Sequence, residues 1–263
     1  MHLCALHVYP IKSCAALSPL QAEVQARGLA HDRRWMIVDD AGRFITGRQA
    51  PRLVLIRAQV DGEMLTLSAP GMPVLRLEAA ASARLPVTVW RDQVQARAVS
   101  GQADAWLSRF LGRPCRLVYM DEAARRPVNA SYARPGDEVS FADGFPLLLI
   151  SQASLDALNA RLDAPVPMLR FRPNLVVAGT KPHAEDEWTR IRIGEIEFDV
   201  VKPCTRCVFT TVVPEDGTVD PSGEPLRTLR SYRRSKDGVT FGQNLIARGA
   251  GTLHLGAPVT VVA

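Results

Sequence analysis

The sequence predicts a mostly β protein with a few helices, an α+β fold in two parts. Three observations carry that prediction. Apolar and β-branched residues fall in short runs separated by Gly, Pro, Asn and Asp, the punctuation of strands and turns. Helical three- and four-residue spacing surfaces in only a few segments. Residues 121–144, rich in Arg, Pro, Gly and Asp, read as one long loop between the halves. The boundary is expected there, giving parts 1–120 and 121–263. With 263 residues, 47% of them hydrophobic, and a mean hydropathy of −0.01, the chain can bury a sizeable core. A disordered or collagen-like chain is excluded.

In the first half, Cys4–Pro10, Arg34–Val38 and Arg43–Thr46 read as strands, the last two joined by a turn at Asp39-Asp40-Ala41-Gly42. Leu53–Val60 and Met64–Ser68 read as a hairpin with an Asp61-Gly62 turn. Leu75–Glu78, Val87–Trp90 and Val94–Val99 continue the strands, so a small barrel or sandwich is expected. Ala103, Trp106, Leu107, Phe110 and Leu111 share one helical face, with Gly112 and Pro114 to stop it. Leu117–Met120 is a short strand.

In the second half, Phe145–Ile150 reads as a strand buried on both faces, and Ser151 as the cap of a helix carrying Leu155, Leu158 and Leu162. Leu175–Val177, Arg190–Ile193, Ile196–Val201, Val208–Val213, Thr252–Leu255 and Pro258–Val262 read as strands, and Glu224–Arg234 as a helix. No run approaches the roughly 20 apolar residues of a membrane span. The N-terminus lacks the basic start and apolar stretch of a leader, so a cytoplasmic location with no membrane partner is expected.

The formal charge is +5, and only four of the 32 basic residues are Lys. Arg forks match phosphate oxygens, so an anionic ligand is one reading and a GC-rich coding bias the other. The densest basic stretch, Arg227 to Lys236, is short, and nucleic acid is not the expected partner. Five scattered cysteines form no disulfide framework; only Cys204 and Cys207 are a spaced pair.

That pair lies in Lys202-Pro203-Cys204-Thr205-Arg206-Cys207. Zinc would need two more ligands, a redox pair would need a following helix, and one thiolate could ligate a soft metal carried by a cofactor. Two core cysteines are the plain alternative. Lys12 and Ser13, in Tyr9-Pro10-Ile11-Lys12-Ser13-Cys14, could hold an anionic oxygen. Arg33 and Arg34 enter an apolar strand, with Asp32 as a possible partner. Arg172 and Asn174 share a side if their segment is extended, and Phe241-Gly242-Gln243-Asn244 reads as a Gly turn with two amides. Together these offer the donors for a phosphate plus a heterocycle. Dinucleotide, P-loop, nucleophile-elbow and iron–sulfur signatures are absent.

The segments Val8–Cys14, Asp32–Val38, Thr46–Gln49 and Pro51–Leu53 resemble the N-terminal β-barrel domain of the MOSC family. Phe171–Val177, Pro203–Val212 and Phe241–Asn244 resemble the MOSC β-barrel domain itself, and the motifs fall in family order along nearly the whole chain. The resemblance, nearest to the amidoxime-reducing branch, implies a molybdenum cofactor (Mo-molybdopterin). It also implies oxygen-atom transfer from N-hydroxylated small molecules such as amidoximes. Carried over by position, Cys207 is the catalytic thiolate and metal ligand; Lys12, Ser13 and Arg33 hold the phosphate and pterin. Arg172, Asn174, Thr205 and Arg206 line the same pocket, with Ser151 at a further cofactor position and Asn244 where the mammalian branch has Tyr. The ferredoxin-like domain of some bacterial members and the targeting segment of the mammalian branch have no counterpart here. A separate electron donor is therefore expected, ferredoxin-like or cytochrome b5-like with a reductase. A cofactor or sulfur carrier without reductase activity is the alternative function, and a zinc-stabilised binding module a third.

Overall fold

One eight-stranded sheet organises the second half of the chain and takes its first strand from the N-terminus. The computed structural model describes residues 1–78 and 83–263. The sheet runs His2–Leu6, Leu175–Ala178, Leu147–Ser151, Gly238–Ala247, Ile196–Thr205, Arg190–Ile193, Val259–Val261, with Arg234–Ser235 paired to Gly238–Ala247 off that path. Its two ends meet. His2 bridges Pro258, and the Val259 amide donates to Met1 O at 3.0 Å. The sheet thus curls into a barrel around Leu149, Leu175, Ile191, Phe198 and Leu245. Leu147–Ser151 is buried at every position, as a strand with a parallel neighbour should be. Each fully buried Leu, Ile or Phe contributes about 1.5–3 kcal/mol.

The first half builds a four-stranded sheet ordered Trp35–Val38, Arg116–Tyr119, Asp92–Ala98, Arg84–Val89. The segment around Phe44 spans its open side, bridging Val38 through Phe44 and Thr88 through Arg43. Met36, Val87, Val94, Val118 and Phe141 fill the interior. On the other face, Trp35, Ile37 and Leu117 pack on helix α1, Gly101–Leu111, and on a three-stranded meander, Arg57–Asp61, Met64–Ser68 and Leu75–Glu78. Helix α1 buries Ala103, Trp106, Leu107 and Phe110; Ser100 caps its start and Gly112, at φ 68°, its end. Before Trp35 the chain serves the second half: besides His2–Leu6, strand Gln21–Gln25 pairs with Gly251–His254. Among the described residues no helix is long and apolar enough to cross a membrane.

Several elements differ from the sequence expectation. Pro51 starts a 3-10 turn over Pro51–Leu55, so the strand expected from Leu53 begins at Arg57. Asp61 pairs with Met64, which moves the hairpin turn to Gly62 and Glu63. The first strand ends at Leu6, short of Pro10, and the helix expected over Glu224–Arg234 is the shorter Leu226–Tyr232, α3. Val208–Thr211 is a 3-10 turn despite its β-branched residues. The Thr210 and Thr211 hydroxyls donate back to Cys207 O and Val208 O at 3.0 and 2.7 Å, a local bonding that overrides strand propensity. Phe241–Asn244 is no turn: it lies inside strand Gly238–Ala247.

Gly242 is the reason that motif holds a glycine. Its φ is +82°, and a Cβ there would sit 2.5 Å from Ile150 Cγ1 and 2.7 Å from Leu149 O. Gly242→Ala is expected to destabilise the fold by roughly 1–3 kcal/mol or more. The check is urea unfolding, in which the midpoint should fall with an unchanged slope.

Candidate functional site

Strand Trp35–Val38 anchors the first charged group. Ile11 makes a parallel bridge to Trp35, and the Lys12 amide donates to Trp35 O at 2.8 Å. The Lys12 side chain is buried, and its ammonium donates to Phe141 O at 2.7 Å and to Asp143 at 2.6 Å. Burial lowers the Lys12 pKa and Asp143 opposes that shift. Next to it, Ser13 sits at φ 67°.

Arg33 is placed by the loop before the same strand. Its amide donates to Tyr9 O at 2.7 Å, and its guanidinium pairs with Asp32 at 2.7 Å. Asp32 is wholly buried and also accepts the Tyr9 amide at 2.9 Å. Burial pushes its pKa up, and Arg33 pulls it down. Arg33 further donates to Asn174 Oδ1 at 3.0 Å and to Arg172 O at 3.1 Å. Asn174 accepts the Leu148 amide at 3.2 Å and donates to His7 O at 3.1 Å. Arg172 is left-handed at φ 57°, not extended, and its guanidinium lies 4.1 Å from the Tyr9 ring centroid. Arg33 lies over that ring at the same distance. Burial lowers the Arg172 pKa to about 10 and raises that of Tyr9 to about 12.

The long strand Ile196–Thr205 delivers the thiols at its end. Cys207 is exposed and free, and begins the 3-10 turn. Cys204 is half-buried beside Leu148 and Phe171, and its sulfur accepts from Arg206 Nη1 at 2.9 Å. Arg206 also donates to Phe171 O at 2.6 Å. Asn244 donates to Lys202 O at 3.1 Å.

One cavity of ≈150 Å³ is lined by Lys12, Ser13, Arg33, Arg172, Asn174, Thr205, Arg206, Cys207 and Asn244 together. Ser151 is not among its walls. It caps helix α2, Gln152–Asn159, and bonds Ser154, which donates to the buried Glu185 at 2.7 Å. Its chain position next to the buried strand resembles a cofactor position, but its hydroxyl is spent on the helix start. The cavity also has walls that motif reading missed. Asp143 closes it from the 121–144 loop. Trp90, 43% exposed and at φ 56°, donates to Asp143 at 3.3 Å and carries Arg48 over its ring at 4.8 Å. A bulky aromatic at a turn was the available signal for Trp90; Asp143 had none.

The charge is unbalanced. Lys12, Arg33, Arg48, Arg170, Arg172 and Arg206 line the cavity, and among the described residues Asp143 is its one carboxylate. Arg172 Nη2 and Arg206 Nε are buried without a hydrogen-bond partner among the described residues. Such orphaned donors cost about 1–3 kcal/mol each, more when charged, and an anionic oxygen would satisfy them. The arrangement can therefore hold an anion beside an accessible thiol. Among the described residues no three His, Cys, Asp or Glu side chains gather as a metal site.

Inorganic phosphate at millimolar concentration, with ionic strength held constant by chloride, should raise the melting temperature of the protein. A Lys12→Ala/Arg172→Ala double variant should lose that response, as followed by thermal unfolding. An equal rise in both proteins would show that the anion binds elsewhere.

The family model described as MOSC N-terminal beta barrel domain matches residues 1–114, and that described as MOSC domain matches residues 136–260. The mitochondrial amidoxime-reducing component 1 of Mus musculus is 39% identical, over 97% of this chain and 80% of that protein. The Homo sapiens protein of the same name is 38% identical, over 97% and 81%. A molybdenum cofactor sulfurase from Oryza sativa subsp. japonica is 33% identical over 92% of this chain, which spans 32% of that longer protein. The chain belongs to the MOSC family, with the family's N-terminal β-barrel domain followed by its MOSC domain.

Proposed function

We propose that this chain is a molybdenum-cofactor-dependent reductase of N-hydroxylated compounds such as amidoximes. The observation that carries the reading is the meeting, in one cavity, of the exposed Cys207 thiol with a surplus of cations and orphaned guanidinium donors. That donor set fits a phosphate-bearing cofactor that brings its own metal and leaves one position for a soft protein ligand. Lys12, Ser13, Arg33 and Arg172 would hold its phosphate and pterin, Asn174, Thr205, Arg206 and Asn244 would line its flank, and Cys207 would ligate the metal. When bound, the cofactor supplies the two-electron chemistry that removes oxygen from an N–O group. The protein's own share is charge neutralisation, orientation and one thiolate. The relatives named for amidoxime reduction, which align along 97% of this chain, support the reading. The relative named molybdenum cofactor sulfurase favours a second one, a cofactor or sulfur carrier without reductase activity.

The same reading includes a separate electron donor and two domains, 1–120 and 121–263. It also includes a cytoplasmic location, although the animal relatives carry a mitochondrial name. For the donor, the surface beside the thiol is basic. The Arg206 amide donates to Val239 O at 2.7 Å, and Val239 pairs with Arg234. At about 4.8 Å per strand step, Arg234 lies roughly 10 Å from the backbone that leads into Cys207. Arg227 and Arg233 are tied to Glu224 and Asp186, whereas Arg230, Arg234 and Lys236 are exposed for an acidic carrier.

Two cysteine variants test the proposal. In protein expressed in a cofactor-competent host, Cys207→Ser should abolish benzamidoxime reduction by reduced viologen, because a hard hydroxyl replaces a soft thiolate. Cys204→Ser should keep activity within about tenfold and retain molybdenum, measured by elemental analysis. The reverse pattern would overturn the ligand assignment. Bound molybdenum with no turnover in the unmodified protein would favour the carrier.

A further inference from the structure

Behind the wall that carries Arg172 lies a second, roomier cavity of ≈570 Å³, which the reading above does not use. Its volume falls in the range of small-molecule sites, and its lining mixes apolar side chains with polar and charged ones. Val54, Leu55, Leu169 and Val212 supply apolar surface. The charged groups are Arg57, Arg170 and Arg172 against a single acid, Glu215, at an exposed position.

Arg170 is the group that asks for a ligand. Its side chain is 7% exposed, yet it is thinly bonded. Nη1 donates to Thr210 O at 3.3 Å, Nη2 stands 3.6 Å from Asp220, and Nε has no hydrogen-bond partner among the described residues. A buried guanidinium in that state is costly, and an anionic oxygen is the group that relieves it. Arg57, another lining residue, is exposed on strand Arg57–Asp61 and enters no ion pair among the described residues. Both cations therefore line a hollow that has apolar surface and little negative charge to balance them.

We infer that this second cavity binds a small amphipathic anion, a molecule with an apolar body and one sulfonate, carboxylate or phosphate group. The anionic end meets the Arg170 wall, with Arg57 as the second cation that holds it, and the body lies on Val54, Leu55, Leu169 and Val212. The inference does not rest on the proposed reductase activity, and its test needs neither cofactor nor turnover.

A matched pair of fluorescent probes separates charge from greasiness: anilinonaphthalene sulfonate, and N-phenylnaphthylamine, which has the same rings without the sulfonate. The full chain should bind the sulfonate saturably at one site, at least about tenfold more tightly than the neutral amine. Ala69→Trp, which fills the cavity from its wall, should abolish the signal. Arg57→Gln, on the exposed rim, should weaken binding several-fold with an unchanged melting temperature, and it tests the site even if Ala69→Trp fails to fold. Equal affinity for the two probes would overturn the inference. So would an unaltered signal in Arg57→Gln or in folded Ala69→Trp.

Discussion

The site depends on one buried carboxylate. Asp32 is wholly enclosed, takes the Tyr9 amide and pairs with Arg33. A buried ion pair stabilises only when its remaining donors and acceptors are also satisfied. Here the requirement propagates. Arg33 completes its bonding on Asn174 and on the Arg172 carbonyl, and Asn174 in turn ties His7 and Leu148. One carboxylate thereby locks the loop before Trp35, the segment after Arg170 and the N-terminal strand into a single arrangement. Its removal would leave Arg33 buried without a counter-ion, and breaking such a pair typically costs about 3–5 kcal/mol.

Around that lock the fold accepts conformations and charges that folding alone would avoid. Ser13, Arg33 and Arg172 all sit at positive φ with side chains attached. Strain of this kind costs on the order of 1–3 kcal/mol per residue and persists only where the surroundings over-determine it. Two guanidinium groups share the face of one tyrosine although they repel each other. The Tyr9 ring attracts both, but neither gains a carboxylate of its own beyond Asp32. Concentrated like charge with orphaned donors is destabilising in the absence of an anion, and stored cost of this sort is what a ligand can recover on binding.

How much of this was legible in the sequence follows from the range of the interaction involved. Helix α1 was readable because its face, Ala103 through Phe110, and its caps, Ser100 and Gly112, are local. The cavity residues were readable as a set because the family motifs carry them, and the structure brings all but Ser151 to one place. Ser151 carried two readings, because a helix cap and a ligand contact ask for the same hydroxyl, and the structure shows the cap. The stretch after Cys207 misled because strand propensity lost to threonine hydroxyls bonding back to the chain. Gly242 read as a turn because the close approach of Leu149 and Ile150 that demands it comes from another strand. Asp143 lay hidden in an irregular loop, and only the tertiary fold sets it against Lys12.

The reactive thiol is positioned by that same short turn. Cys207 O accepts the Thr210 amide at 3.1 Å and the Thr210 hydroxyl at 3.0 Å, so the turn closes directly on the thiol-bearing residue. Phe209, inside the turn, wedges against Gly47 from the first half; a Cβ on Gly47 would sit 2.1 Å from its ring. The Arg172 guanidinium lies over the Phe209 ring, 5.4 Å from its centroid. The close approach of Gly47 and the guanidinium of Arg172 thus both fix the ring, which belongs to the turn. Phe209 also lines both cavities, with Arg170 and Arg172. The residue two positions from the thiol is thus shared by the walls of both cavities.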